Sequence, residues 1–244
     1  TVSLSEAVDR DVTVTLDGGN TVTIAAGETD ATYTRDPQGD DVFVDGENVT
    51  VALEDAAATD GSAFENVTLG DAAETTVIDT IDTVTATLSA DSDSVAEGGT
   101  VTYTVTLTGP QGADLSGHNG LEFRLADGST VTIAAGELSG SATVTAADDA
   151  FEGGQATLVN SIATVENDSD SEFEQLVTAG ETSVTVTDEP GTPGNPGDPG
   201  DPNGGDAISV SIVADQAEFS EAEEQTFTVS LSEAVDRDVT VTLD

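Results

Sequence analysis

Valine, threonine, isoleucine and leucine alternate along this chain with a period of two. In residues 100–107, Val101, Tyr103, Val105 and Leu107 fall on one face and Thr102, Thr104 and Thr106 on the other. That pattern describes a strand with one buried and one wetted face. Runs of the same kind predict strands at 84–88, 100–107, 121–125, 130–133, 141–145, 156–165, 172–177 and 182–187. Clusters of Gly, Asp and Asn punctuate them, as turns require. No segment carries a helical period. Seven or eight short strands in about 100 residues predict an all-β fold, an antiparallel sandwich of immunoglobulin-like strand count.

The chain repeats itself. The segment 1–17, TVSLSEAVDRDVTVTLD, recurs letter for letter at 228–244, so that position 1 returns at position 228. A weaker repeat lies inside this period. Thr21-Val22-Thr23-Ile24-Ala25-Ala26-Gly27-Glu28 returns as Thr130-Val131-Thr132-Ile133-Ala134-Ala135-Gly136-Glu137, each copy after an Asp-Gly pair. Asp40-Asp41-Val42-Phe43 matches Asp148-Asp149-Ala150-Phe151, and Thr226-Phe227-Thr228-Val229-Ser230-Leu231 matches Thr102-Tyr103-Thr104-Val105-Thr106-Leu107. Repeats of this kind indicate tandem units. The expected organisation is a sandwich domain A at 1–80 lacking its first strand, a complete domain B at 83–189, a Pro/Gly-rich linker at 190–206, and the start of the next copy of domain A at 207–244. Joined across the period, 207–244 and 18–80 make one domain of ordinary size. The linker, with its Gly-X-Pro triplets, reads as a solvated spacer biased toward polyproline II.

Composition narrows the function. The chain has no Cys, Met, Trp or Lys; its cations are Arg10, Arg35, Arg124 and Arg237, against 49 acidic residues, for a formal charge of -45. Such a charge repels nucleic acid and anionic membranes, so neither is expected as a partner. It attracts cations, and carboxylates without lysine neighbours suit hard divalent ions. No apolar run approaches the roughly 20 residues of a membrane span, so no membrane insertion is expected in this region. No signal peptide is evident, and a chain without methionine reads as an internal piece of a longer one. Absent cysteine means that no disulfide holds the fold. The acidity fits a secreted bacterial protein, and equally a halophile whose carboxylates hold surface water.

The segment Ser94-Val95-Ala96-Glu97-Gly98-Gly99-Thr100-Val101-Thr102-Tyr103-Thr104-Val105 resembles the opening of Calx-β-like domains, as does the acidic Asp148-Asp149-Ala150-Phe151-Glu152-Gly153-Gly154. Both also resemble the immunoglobulin-like extender repeats of giant RTX adhesins secreted by type I systems. The resemblance covers both domains but not the linker. It implies tandem immunoglobulin-like sandwiches joined end to end, forming a calcium-stiffened stalk that carries an adhesive tip away from the cell surface. In the resembling families calcium sits at domain ends, held by acids from several loops. Carried over, this points to Glu97, Asp148, Asp149 and Glu152 in domain B, and to Glu221, Asp40, Asp41 and Asp45 in domain A. Asp79 and Asp82 flank Thr80-Ile81 at the A–B junction, where they would clamp neighbouring domains. The RTX nonapeptide Gly-Gly-x-Gly-x-Asp is absent, and the Pro-Gly linker departs from tightly coupled extenders.

Catalysis finds no footing: there is no Cys nucleophile, P-loop, Rossmann fingerprint or zinc spacing. The lone histidine, His118, falls in Ser116-Gly117-His118-Asn119-Gly120 and is expected to be a solvent-exposed loop residue. Asn48-Val49-Thr50, Asn66-Val67-Thr68 and Asn167-Asp168-Ser169 are glycosylation sequons. The expected function is a structural spacer of an extracellular, surface-located adhesin, with neighbouring identical repeats as its partners and lateral self-association as a further one. The alternative is a subunit or wrapping chain of an extracellular filament or surface layer. The duplicated segment favours one continuous polypeptide over separate subunits, continuing past Asp244 with Gly-Gly-Asn-Thr-Val-Thr-Ile.

Overall fold

Alternating Val/Thr runs cannot bury an apolar face alone, and those between residues 83 and 187 close sheet against sheet. The computed structural model describes residues 1–151, 153, 155–166, 172–188 and 208–243. The linker expected at 190–206, Glu152 and the sequon at Asn167 lie outside the described residues. Among the described residues the fold is all-β, with one short 3-10 turn at Asp17–Gly19. The chain divides into two units, Thr1–Asp82 and Thr83–Asp244.

The first unit contains β1 (Val2–Ser3), β2 (Val12–Leu16), β3 (Thr21–Ile24), β4 (Asp30–Ala31), β5 (Asn48–Val51), β6 (Leu53–Ala58) and β7 (Ala73–Thr76). They form a three-stranded sheet β3-β2-β6 and two ribbons, β1-β4 and β5-β7. Val12, Val14, Leu16 and Ile24 are buried, with Leu4, Tyr33, Leu53 and Phe64 packed partly against them. The strands here are short and the sheets narrow.

The second unit contains β8 (Thr83–Ala90), β9 (Ser94–Ala96), β10 (Thr100–Thr108), β11 (Leu121–Leu125), β12 (Thr130–Ile133), β13 (Ser139–Thr145), β14 (Leu158–Glu166), β15 (Gln175–Ala179), β16 (Glu181–Thr187), and a separate hairpin of β17 (Val210–Ala214) and β18 (Phe227–Leu231). Two sheets, β13-β10-β8-β15 and β12-β11-β14-β16-β9, form a sandwich. The apolar face read from β10 is buried in full, as are Phe123 and Leu125 of β11 and Val131 and Ile133 of β12. Each such fully buried side chain contributes roughly 1.5–3 kcal/mol.

Two pairings depart from the all-antiparallel expectation. β15 runs parallel to β8 (Leu176↔Val84, Ala179↔Thr87), and β16 runs parallel to β9 (Val186↔Val95). The reason lies at the sandwich edges. After β8 the chain bends and β9 joins the opposite sheet, while β15 and β16, separated by Gly180 alone, belong to different sheets. Gly180 makes this crossing in the left-handed region, at φ +89°, with the Leu88 backbone against its α-carbon.

The two units share local detail. β2 pairs β6 with a register shift between Thr15 and Leu16, and β11 pairs β14 with one between Arg124 and Leu125. Thr15 and Arg124 hold the same place in the inner repeat, each six positions before the first threonine of its Thr-Val-Thr-Ile run, Thr21 and Thr130.

His118 corrects the sequence reading, which places it in solvent. It is buried: its Nε2 donates to the Glu137 carbonyl at 2.8 Å, and its Nδ1 accepts from the Gly120 amide at 3.0 Å. The ring ties the loop before β11 to the loop after β12 and sits near Phe173, at 6.1 Å between centroids. Its polar atoms are both spent on backbone, so it is a structural residue.

Candidate metal centre

The candidate acids of the second unit are gathered by strand ends. Glu97 directly follows β9, and its amide donates to the Thr187 carbonyl at 2.9 Å, which places the side chain at the end of the β9–β16 pair. There it is buried, an uncommon position for a carboxylate. Its Oε2 accepts from the Asp149 amide at 2.9 Å and from Gln155 Nε2 at 3.1 Å. Asp149 lies in the loop after β13. Its Oδ1 accepts from the Phe151 amide at 2.8 Å, an Asx turn that fixes the loop, and its Oδ2 accepts from Gln155 Nε2 at 2.7 Å. The Asp148 carboxylate lies over Gly98, beside Glu97 in sequence. Asp188, the first residue after β16, accepts from the Gly153 amide at 2.7 Å.

The structure thus brings Glu97, Asp148 and Asp149 of the sequence-derived set to one end of the sandwich. It adds Asp188 and Gln155, which the sequence reading misses. The signal for Asp188 is its place: it follows β16, the last strand of the sandwich, as Asp79 comes after β7, the last strand of the first unit. Gln155 carries no signal. Arg237, from the segment after the linker, adds an ion pair to Asp149 Oδ2 at 3.0 Å, and its guanidinium lies 4.4 Å from the Phe151 ring centroid.

The first unit repeats the arrangement in part. Asp41 Oδ1 accepts from the Phe43 amide at 2.7 Å, the same Asx turn as at Asp149. Thr80 donates its hydroxyl to Asp40, and the Asp79 carboxylate stands against Gly46 in the same loop. Asp45 contributes its backbone carbonyl to Gln38 at 3.2 Å. Glu221 stands exposed in the second unit, whereas Asp40, Asp41 and Asp45 stand in the first. Asp82 ends the first unit and is half-buried.

Among the described residues no three acidic side chains already converge as a coordination group. The donor set is nonetheless chemically suited to a hard cation: carboxylates and carbonyls, in a chain without a thiol and whose single imidazole, His118, is bound to backbone elsewhere. Gln155 holds Glu97 and Asp149 together through a neutral amide. A cation there would replace that amide with a full charge.

Outside this set, Asp60 has its carboxyl held below the ordinary value, first by the Ser62 amide and hydroxyl and then by Arg10 at 3.0 Å. Arg10 and Arg237 occupy one place in the duplicated segment yet have different partners, Asp60 for one and Asp149 for the other. Among the described residues no helix is long and apolar enough to cross a membrane.

No curated protein matches the chain. The family model of the LapA domain matches residues 1–80 and again residues 82–189, one match on each side of the boundary near Asp82. Two copies of one sandwich-like domain in tandem, carrying the same acidic loop and an Asp after the last strand, account for most of its length, and the chain belongs to the LapA-domain family of large surface adhesion proteins.

Proposed function

We propose that this chain is a stretch of the repetitive stalk of a cell-surface adhesin, a spacer that separates an adhesive end from the cell and takes no part in catalysis. The observation that carries this reading is the nesting of repeats: two LapA domains per period, and a period whose opening segment, 1–17, returns at 228–244 without a change. Near-identical copies add length and little else, which is what a spacer requires. The buried His118 spends both ring nitrogens on backbone groups and serves structure.

Calcium belongs to this reading as the stiffening ion. Glu97, Asp148, Asp149 and Asp188 would hold it in domain B, with Asp40, Asp41 and Asp79 at the matching place in domain A; Glu152 and Asp82 would complete the sets. The ion supplies positive charge where carboxylates from separate loops meet. The residues position themselves by the Asx turns and by the strand ends described above. A charge of -45 also keeps the chain expanded where calcium is scarce, before export, and lets it tighten where calcium is plentiful.

The array reading is tested by the mass of the native polypeptide under denaturing conditions. The expected result is a chain many times heavier than 24.5 kDa. A discrete species near 24.5 kDa in native material refutes the continuous array and leaves the filament-subunit alternative.

A further inference from the structure

A buried polar cluster lies between the two sheets of the second unit. Tyr103 of β10 belongs to one sheet, Asn160 of β14 and Thr182 of β16 to the other. All three are buried, Tyr103 and Asn160 to 1% exposure. Asn160 and Thr182 face each other in the ladder, and the Thr182 hydroxyl donates to the Asn160 carbonyl at 3.4 Å. Asn160 Oδ1 accepts from the Asp127 amide at 3.3 Å and from the Ser161 amide at 3.1 Å. Its Nδ2 is buried without a hydrogen bond of its own. The opposite sheet brings the Tyr103 hydroxyl to this point. Burial and then the Asp127 charge raise the pKa of that hydroxyl, and its contacts with the Thr182 and Asn160 side chains oppose the rise.

Domain A has apolar residues at all three places. β11 and β14 pair Leu125↔Ile162, and β2 and β6 pair Leu16↔Leu53, each just after the register shift. Two residues before Ile162 and Leu53 stand Asn160 and Val51. The next pairing carries the match one strand further, Asn160↔Thr182 in the second unit and Val51↔Ala73 in the first. In the inner repeat Tyr103 corresponds to Phe227. Tyr, Asn and Thr in one domain therefore answer to Phe, Val and Ala in the other. The three positions change together, from polar to apolar.

We propose that Tyr103, Asn160 and Thr182 are a recognition set that decides which hairpin closes the second sandwich: that of domain B, with Tyr103, and not that of domain A, with Phe227. The discrimination lies in the mismatches. A phenyl ring opposite Asn160 and Thr182 leaves the buried Asn160 amide with nothing polar across the sandwich. A phenol opposite Val51 and Ala73 buries its hydroxyl against apolar side chains. Changing both sides together is close to neutral, because no polar group is left behind. Specificity is this difference between matched and mismatched partners. Such a set has a use where both hairpin types lie in one polypeptide, as they do here at 83–108 and 210–231. The inference therefore rests on the reading of domains A and B alternating along one chain.

The test is amide hydrogen exchange of the whole chain, read on peptides from β10 and β14 so that it reports the second sandwich alone. Tyr103→Phe is expected to speed exchange roughly tenfold or more, the effect of stranding a buried polar group. Asn160→Val combined with Thr182→Ala strands the Tyr103 hydroxyl instead and has an effect of the same order. The variant with all three substitutions is expected to exchange more slowly than either, since it carries the matched set of domain A. A triple variant that exchanges as fast as either, or faster, shows losses that merely add and overturns the proposal. A Tyr103→Phe chain that exchanges like the unsubstituted one overturns it too. Either failure leaves the array reading standing, since that depends on the mass of the native polypeptide.

Discussion

Gly180→Ala is expected to destabilise the second sandwich by about 2–5 kcal/mol, a large part of the roughly 5–15 kcal/mol that holds a domain folded. Two independent effects add. At φ +89° a side chain meets the left-handed penalty, on the order of 1–2 kcal/mol. The new Cβ would also lie 2.9 Å from the Leu88 amide nitrogen and 3.1 Å from its carbonyl carbon, with the carbonyl oxygen closer still. These are backbone atoms of a central strand, so β8 or β15 must shift, and overpacking of that kind costs typically about 1–3 kcal/mol. Gly112→Ala separates the two effects: its φ is +90° and nothing lies within 4 Å. It should show the conformational penalty alone. Urea unfolding of both variants decides it, read as a fall in midpoint at constant slope. Equal losses for the two would remove the packing argument.

Much of this fold is legible before any coordinates. Residues 121–125 and 130–133 form strands with the bounds that alternation predicts, because turn residues stop them on both sides. Other strands gain one or two residues at an end, as in β8 and β13, whereas β14 and β15 begin two and three residues later than alternation predicts. β9 escapes a reading by period because it spans only Ser94–Ala96, too few positions to alternate. The two parallel pairings are illegible for a different reason. Alternation tells which face of a strand is apolar, not which sheet it joins, and Gly180 settles that for β15 and β16 through a conformation that sequence periodicity does not encode. His118 misleads because a loop of Ser, Gly and Asn looks solvated, whereas both ring nitrogens are claimed by backbone groups 2 and 19 residues away.

The site divides along the same line. Glu97, Asp148 and Asp149 stand out because they belong to motifs that recur or that resemble a known family, and the structure joins Glu97 to Asp149 across 52 residues. Asp188 reaches the same end of the sandwich only because β16 ends beside β9, a consequence of topology. Gln155 reaches it by the path of the loop between β13 and β14. Matching acids therefore locate the end of the domain, and the sheet order determines which of them meet.

Millimolar calcium should raise the melting temperature of the chain, and a chelator should reverse it. An ion bound only by the folded state adds RT ln(1 + [L]/Kd), about 2.7 kcal/mol at a hundredfold excess over Kd. For a sandwich of this size, that is on the order of 10 °C, since 1 kcal/mol moves a domain of about 100 residues by roughly 4–8 °C. The physical source is the meeting of Glu97 and Asp149 on one neutral donor: Gln155 Nε2 serves Glu97 Oε2 at 3.1 Å and Asp149 Oδ2 at 2.7 Å. Two carboxylates that share an amide repel each other, and a divalent ion between them would turn that repulsion into attraction. Glu97→Gln keeps the shape and removes one charge, so its calcium increment should fall to a small fraction of that of the unsubstituted chain, whatever its melting temperature in chelator. The increment, and not the absolute stability, is the quantity to compare, because the substitution also alters the bonds to Asp149 and Gln155. Matched ionic strength separates binding from screening, since monovalent salt also relieves repulsion among 49 carboxyl groups. If calcium and an equal ionic strength of sodium chloride give the same melting temperature, the carboxylates serve to hydrate an acidic surface and the stiffening ion is gone from the reading.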